Sequence, residues 1–350
     1  MHPILTALIA VLVFGFLILI HELGHYITAR IFKVTVNEFS IGMGPRIFSR
    51  VSKKTGIKYS IAALPIGGFV AMAGEDDESD DPNAFDKKPA WQRLIITAAG
   101  ATVNVIAGFL VTAILTCMIP IGDTTVSGFL DLSKQGYDAA VTTEGTLEVG
   151  DEIIKVDGKR VRIYDELNYE IMRRGTKPID VTVIRDGKEI TLEDVVFPSV
   201  EQDGTSFGLR DFTVQPVEKS FGSIISFSWS KSVLTVRMCW ESIIDLVTGR
   251  YSLGAVSGPV GISSAIGEAA NAGIESFLYM FALISINLGV MNLLPIPALD
   301  GGRLLTTLFE MITRRRIPKK IEGIVNGVGL MLLLGLSLVI LVKDIVQLII

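Results

Sequence analysis

Residues 3–25 read PILTALIAVLVFGFLILIHELGH, and the fold is decided by how this stretch is understood. From Pro3 to Ile20 it carries no charge, which brings it close to the roughly 20 apolar residues a helix needs to cross a bilayer core. Its end is polar in an unusual way. His21-Glu22-Leu23-Gly24-His25 sets two imidazoles at positions i and i+4, so on a helix they share a face and can reach one metal ion with Glu22 beside them. Such a group at the end of an apolar helix is costly unless it is paired or functional. Interfacial histidines capping a span are the plain alternative, and the metal site is the reading adopted. The run could also be a secretory signal. It lacks a basic lead-in and a small-x-small cleavage site, so it is expected to remain in the protein.

Working outward, three more charge-free runs follow: Leu94 to Gly122, Ser276 to Leu299 and Gly323 to Val342. With 350 residues, 49% hydrophobic, 20% charged and a mean hydropathy of +0.50, an ordinary water-soluble globule is excluded. The expectation is a polytopic α-helical membrane protein with four transmembrane helices, near 4–26, 94–121, 276–299 and 323–342. The residues Arg30, Lys33, Arg46, Arg50, Lys53, Lys54 and Lys58 follow the first span, and Arg303, Arg314, Arg315, Arg316, Lys319 and Lys320 follow the third. Positive-inside counting makes both segments cytoplasmic. Both termini and the insert 123–275 are then extracytoplasmic, in a cell inner or plasma membrane protein. The net charge of −5 is partitioned between loops and points to no partner, nucleic acid included. The acidic run Glu75, Asp76, Asp77, Glu78, Asp80, Asp81 reads as a solvated loop, with a cation site or regulatory contact as the lesser alternative. Cys117 within a span and Cys239 far from it form no disulfide framework.

A catalytic zinc shell has three protein ligands and an open position, and the only other histidine is His2, at the far end of the same span. The third ligand should therefore be a carboxylate at matching depth. Spans one and three run in the same direction, and the third ends in Asn292-Leu-Leu-Pro295-Ile-Pro297-Ala-Leu-Asp300-Gly-Gly, which brings Asp300 near the level of His21. Taken alone Asp300-Gly301-Gly302 reads as a helix-ending turn; the need for a carboxylate at that depth decides for the ligand. Pro295 and Pro297 predict an unwound backbone from Asn292 onward, tolerated in a membrane only where it lines protein or a wet cavity. Asn292 either offers its amide to an extended substrate or merely caps the helix.

Two further regions carry pattern. Between residues 34 and 73 a cytoplasmic or re-entrant β region surrounds Pro65-Ile66-Gly67-Gly68-Phe69; its alternation and glycine pair allow an edge strand, formed by Gly67, Gly68 and Phe69, to hold an extended substrate, the alternative being an ordinary hairpin. In the insert, Val149-Gly150-Asp151-Glu152-Ile153-Ile154-Lys155-Val156-Asp157-Gly158 looks like a PDZ signature, followed by a helix from Tyr164 to Arg174 and a turn at Asp186-Gly187. Upstream, Thr142 to Leu147 departs from the usual Ala-rich lead-in, which leaves peptide capture and size filtering both open. The organisation expected is thus an N-terminal membrane half over 1–122, an extracytoplasmic α+β PDZ domain over 123–200, a linker over 201–275 and a C-terminal membrane half over 276–350. The linker holds a helix near 221–248, amphipathic by its spacing of Lys231, Arg237, Glu241 and Asp245, which lies either on the outer membrane surface or on the PDZ domain. Ser257 to Gly261 reads as a Gly-rich turn.

These residues resemble the site-2 protease family of intramembrane zinc metalloproteases, in its bacterial RseP-like branch with a single PDZ domain. The resemblance rests on HELGH at 21–25, FSIGMGP at 39–45, YSIAALPIGGFVAM at 59–72, Ala99-Gly100 with Asn104, SGPVGI at 257–262 and NLLPIPALDGGR at 292–303. It implies zinc held by His21, His25 and Asp300, Glu22 as general base, Asn292 as a substrate contact and the 59–72 segment as a membrane-associated β-hairpin. It also implies, as partners, the lipid bilayer and single-pass membrane proteins, either a pre-cleaved anti-sigma factor or remnant signal peptides. A non-catalytic scaffold using its PDZ domain has no need of HELGH with Asp300. A metal transporter would need more intramembrane carboxylates or histidines than one cluster.

Overall fold

The computed structural model describes residues 2–132, 141–202, 205–250, 254 and 256–349. Parts of the expected PDZ domain (133–140) and of the expected linker (203, 204, 251–253 and 255) lie outside the described residues. The chain forms two compact units, residues 1–111 with 243–350, and residues 112–242. Elements are numbered in chain order. Four helices are long and apolar enough to cross a membrane: α1 (Pro3–Ile31), α2 (Ala90–Met118), α6 (Ile274–Asn292) and α8 (Lys319–Ile349), which fits a polytopic helical membrane protein.

In the first unit α1 packs on α5 (Pro259–Ala272) and α6, with Ala10, Val13 and Leu17 buried against Ile266 and the flanking Phe277, Phe281 and Ile284. Lipid is as apolar as leucine, so helices within it are held by close fit rather than by a hydrophobic drive. Small residues provide that fit. A Cβ on Gly24 would lie 2.6 Å from the Ala99 oxygen of α2, and one on Gly289 of α6 would lie 2.7 Å from the Ala101 oxygen. The Gly-rich stretch 257–261 begins a helix rather than only turning: Pro259 opens α5, where its missing N–H costs nothing. The Asp344 carboxylate of α8 accepts from the amides of Gly258 (3.3 Å) and Gly261 (3.0 Å), and so caps α5 from another helix.

The β region is a pair of long strands, β1 (Val36–Val51) and β2 (Lys58–Met72). They pair antiparallel, with Ile41 opposite Gly68 and Ser49 opposite Ser60, and the first part of β1 is also registered against the start of β2, Glu38 with Lys58 and Ile41 with Ile61. The first part of β1 is therefore flanked on both sides, and Gly68–Met72 forms an outer edge. Glu38 is buried where the segments meet. Arg46, donating at 2.7 Å, holds its carboxyl down at about 2, helped by Ser60 and Lys58. The half near α1 is packed, with Val36, Phe39, Val70 and Met72 in a core with Ala29, Phe85 and Ile96, whereas Ile47, Phe48, Val51 and Leu64 are exposed.

The second unit holds a six-stranded sheet in the order β10-β3-β4-β6-β7, with β5 beside β4. The strands are β3 (Ile121–Phe129), β4 (Glu152–Val156), β5 (Lys159–Arg160), β6 (Ile179–Arg185), β7 (Lys188–Val195) and β10 (Phe212–Val217); β8 (Ser199–Gln202) and β9 (Thr205–Gly208) make a separate hairpin. Its core gathers Val126, Ile153, Val181, Val183 and Phe212 under Leu167 and Ile171 of α3 (Tyr164–Arg174). The helix α4 (Phe221–Val247) lies on α3: Lys231 meets Asp165 at 2.7 Å, Arg237 meets Glu170 at 2.6 Å, and the Tyr169 hydroxyl donates to Glu241 at 2.7 Å. Glu170 is buried and doubly paired, to Arg237 and Arg174, as a buried carboxylate must be. The opposite side of α4 exposes Phe221, Ile225, Val233 and Trp240.

Candidate active site

The helix α1 continues past its apolar run to Ile31, so His21, Glu22 and His25 lie on regular helix and not in a frayed end. One turn apart, the two imidazoles meet edge to face with their Nε2 atoms 3.2 Å apart. Both side chains are buried, each residue about 8% exposed. The floor beneath them is α2. A Cβ on Gly100 would sit 2.8 Å from the His21 ring and closer still to His25, so only glycine lets α2 come this near. From α2 the Ile96 carbonyl accepts from His25 Nδ1 at 2.8 Å. A carbonyl can only accept, so the proton is on Nδ1 and the Nε2 lone pair faces inward.

Asp300 arrives from another segment. The helix α6 stops at Asn292; Pro295 and Pro297 occupy the turn that follows, Ala298 takes a positive φ of 75°, and a new helix, α7 (Asp300–Thr313), begins with the aspartate itself. Gly301 and Gly302 pack against the backbone of Leu294 and Ile296, a Cβ on Gly302 falling 2.6 Å from the Ile296 oxygen. Two glycines in a first helical turn are poor helix formers, and the folded-back approach explains them. Asp300 Oδ2 thereby lies 3.1 Å from His21 Nε2 and 3.3 Å from His25 Nε2. The three ligand atoms all fall within 4.8 Å of one another, and no other group of three His, Cys, Asp or Glu among the described residues does so.

The chemistry of this set is a test of what it can hold. Asp300 Oδ2 is buried and has no hydrogen-bond donor, although the Nε2 atoms of His21 and His25 lie close to it. Acceptors converging in a buried place repel one another unless a cation stands among them. Two imidazole nitrogens and one carboxylate oxygen are the donor set of a catalytic zinc site with one position open. The residues fit the ion.

Glu22 is not in this cluster. It lies beside it on α1, and its Cγ would be 3.5 Å from a Cβ placed on Gly68, so the β2 edge passes directly over it. Gly67 and Gly68 are buried and Phe69 is partly exposed, and Asn292 is half-buried at the end of α6. Three residues enter the picture with no role read from the sequence. Asn104 is fully buried on α2 with its amide 3.4 Å from His21 Nδ1, and a polar side chain inside an apolar span was the signal for it. Glu75 and Arg303 form an ion pair beside the cluster. No local pattern reveals a pairing between residues so far apart in sequence.

The sequence pattern of Peptidase family M50 matches residues 9–336. A zinc-metalloprotease homologue from Clostridium acetobutylicum is 37% identical over 343 residues, covering 97% of this chain and 96% of its own. The zinc metalloprotease RasP of Geobacillus kaustophilus is 30% identical, covering 96% of each chain, and the regulator of sigma-W protease RasP of Bacillus subtilis is 29% identical, covering 98% and 99%. The matched range runs from the HELGH helix to beyond the segment that delivers Asp300, and with relatives this similar over nearly the whole chain, the chain belongs to Peptidase family M50.

Proposed function

We propose that this protein is an intramembrane zinc endopeptidase that cuts transmembrane segments of other proteins, and the observation that carries the reading is the meeting of His21, His25 and Asp300 beside Glu22. His21, His25 and Asp300 hold the zinc. When bound in such a set, zinc acts as a Lewis acid and makes water nucleophilic near neutral pH. Glu22 is the general base: its carboxylate takes the proton of the attacking water and returns it to the leaving amine. Ile96 keeps the His25 ring turned toward the site.

Substrate is held by the edge of β2 at Gly67, Gly68 and Phe69, which pairs with an extended chain through main-chain hydrogen bonds. A helical substrate hides its carbonyls in its own turns, so the segment must unwind there before it is cut. Asn292, where α6 ends, contributes a side-chain amide to the same strand. The substrates are single-pass membrane proteins, either an anti-sigma factor already cut once outside or remnant signal peptides; the name of the Bacillus subtilis relative, a regulator of sigma-W protease, supports the first. The charged loops support an active site toward the cytoplasm, with both termini and residues 123–275 outside. The sheet and α3 of the second unit are read as a PDZ domain. Its β3 edge is already paired with β10, Val126 opposite Val214 and Phe129 opposite Phe212, which favours a filter that turns away bulky ectodomains over a peptide reader.

Removal of the metal tests the reading. Purified protein in detergent is expected to cleave a test substrate with one transmembrane segment, to lose that cleavage on dialysis against a zinc chelator and to regain it on addition of zinc. Cleavage untouched by the chelator sinks the proposal.

A further inference from the structure

The acidic run after β2 is not merely a solvated loop. Glu75, its first residue, is largely buried, with a side chain 16% exposed, and pairs with Arg303. Arg303 lies on the first turn of α7, three positions after Asp300, and its second terminal nitrogen reaches the Asp76 carboxylate at 2.5 Å. Lys319, at the start of α8, donates to the Gly74 carbonyl at 3.1 Å and to the Glu75 carbonyl at 2.5 Å. The turn Gly74–Asp76 is thus gripped by cations from the starts of two helices. Gly74 permits it: with a φ of 71° and a Cβ position already filled by Asp86 and Ala84, no other residue fits. Glu75 is close enough to Glu22 and His25 for their charges to act on it, and burial pushes its carboxyl up while Arg303 pulls it down. Glu75 and Arg303 also line a polar cavity of about 530 Å³, with Arg93, Glu310, Lys319 and Glu322 among others.

The position of this pair matters more than its charge. The turn Gly74–Asp76 directly follows the β2 edge, whose Gly68 covers Glu22, and Arg303 shares a helical turn with Asp300. We propose that Arg303 is a positioning residue for the peptidase reaction: by clasping Glu75 and Asp76 it fixes the substrate-holding edge of β2 relative to the turn that presents Asp300. The inference rests on the proposed function of this site and adds a part to it. The guanidinium fork suits the task because it can bridge two carboxylates in one plane, which an ammonium cannot. An ordinary ion pair at a surface would be worth little, but this one is mostly withdrawn from water, and the Glu75 carboxylate loses its ion-pair partner without Arg303.

Two measurements on the full-length chain in detergent test it, comparing wild type with Arg303→Lys and Glu75→Gln. With the transmembrane test substrate, each variant is expected to raise KM at least tenfold, keep kcat within threefold and keep the wild-type zinc content. Without substrate, hydrogen exchange of the Gly68–Asp76 amides is expected to quicken at least tenfold in Arg303→Lys while the amides of α1 stay as slow as before. An unchanged KM, a loss of zinc, or exchange that quickens equally in α1 overturns the proposal, the last by showing a general loss of structure. The exchange arm needs no activity. Wild type that fails to cleave, or cleaves without zinc, defeats the peptidase reading instead, and unchanged exchange at Gly68–Asp76 defeats the clasp whichever way that falls.

Discussion

Glu22→Gln is expected to lower turnover of a transmembrane test substrate by about 10²–10⁴-fold, the share that a positioned acid or base commonly contributes. Zinc content and KM should stay as in wild type. The reasoning is geometric. Glu22 is adjacent to both histidines on α1 but does not belong to the cluster that His21, His25 and Asp300 form, so replacing it leaves the ligand set whole. Glutamine has the same length and fits the same space under Gly68, so α1 and β2 need not move. What it lacks is a site for the proton of the attacking water. A variant that loses zinc along with turnover would place Glu22 among the ligands, and one that still turns over would remove it from the mechanism.

Asp300→Ala is expected to cost more than about 100-fold in zinc affinity, since loss of a supporting outer-shell partner alone costs 10–100-fold and here the proposed direct ligand is removed. Competition with a chromophoric chelator measures it. The substitution deletes a buried oxygen that lacks a donor, while the backbone that makes this segment unusual, with Gly301 and Gly302 folded against Leu294 and Ile296, is untouched. The fold should therefore survive: the thermal midpoint of the zinc-free variant should match that of zinc-free wild type. Unchanged affinity would take Asp300 out of the metal shell. A fallen midpoint in the zinc-free comparison would show that the carboxylate supports the start of α7 instead.

How far the sequence could be read follows the range of each interaction. The four spans are legible because hydropathy is a property of consecutive residues, and His21 with His25 because helical spacing is local. Asp300 is harder, since no local spacing ties it to the histidines; it emerges by requiring a carboxylate at the depth where the first helix ends, or from the resemblance carried by NLLPIPALDGGR. The helix α7 is not legible at all. Asp-Gly-Gly reads as a turn, and it becomes the first turn of a helix because packing against Leu294 and Ile296 leaves no space for side chains. Tertiary fit overrides propensity there, and at the start of α5 the carboxylate of Asp344 supplies from another helix the cap that the Gly-rich stretch lacks. The two-sided flanking of the first part of β1, the pairing of β10 with β3 and the clasp of Glu75 by Arg303 are contacts between distant residues. Alternation or charge marks each participant without naming its partner.

The cluster draws two members from α1 and the third from the far side of a proline turn, and this has a consequence for how the protein is made. His25 leaves the ribosome 275 residues ahead of Asp300, the difference of their positions. At a synthesis rate of about 5–20 residues per second, that interval is roughly 14–55 s. Throughout it the HELGH helix can already be in the bilayer among other proteins' membrane segments, yet it holds only two of the three proposed ligands. A chain that stalls or is truncated before Asp300 never has the complete set. With the proposed ligand roles, the order of synthesis therefore keeps the nascent protein from hydrolysing its neighbours until Asp300 has been made.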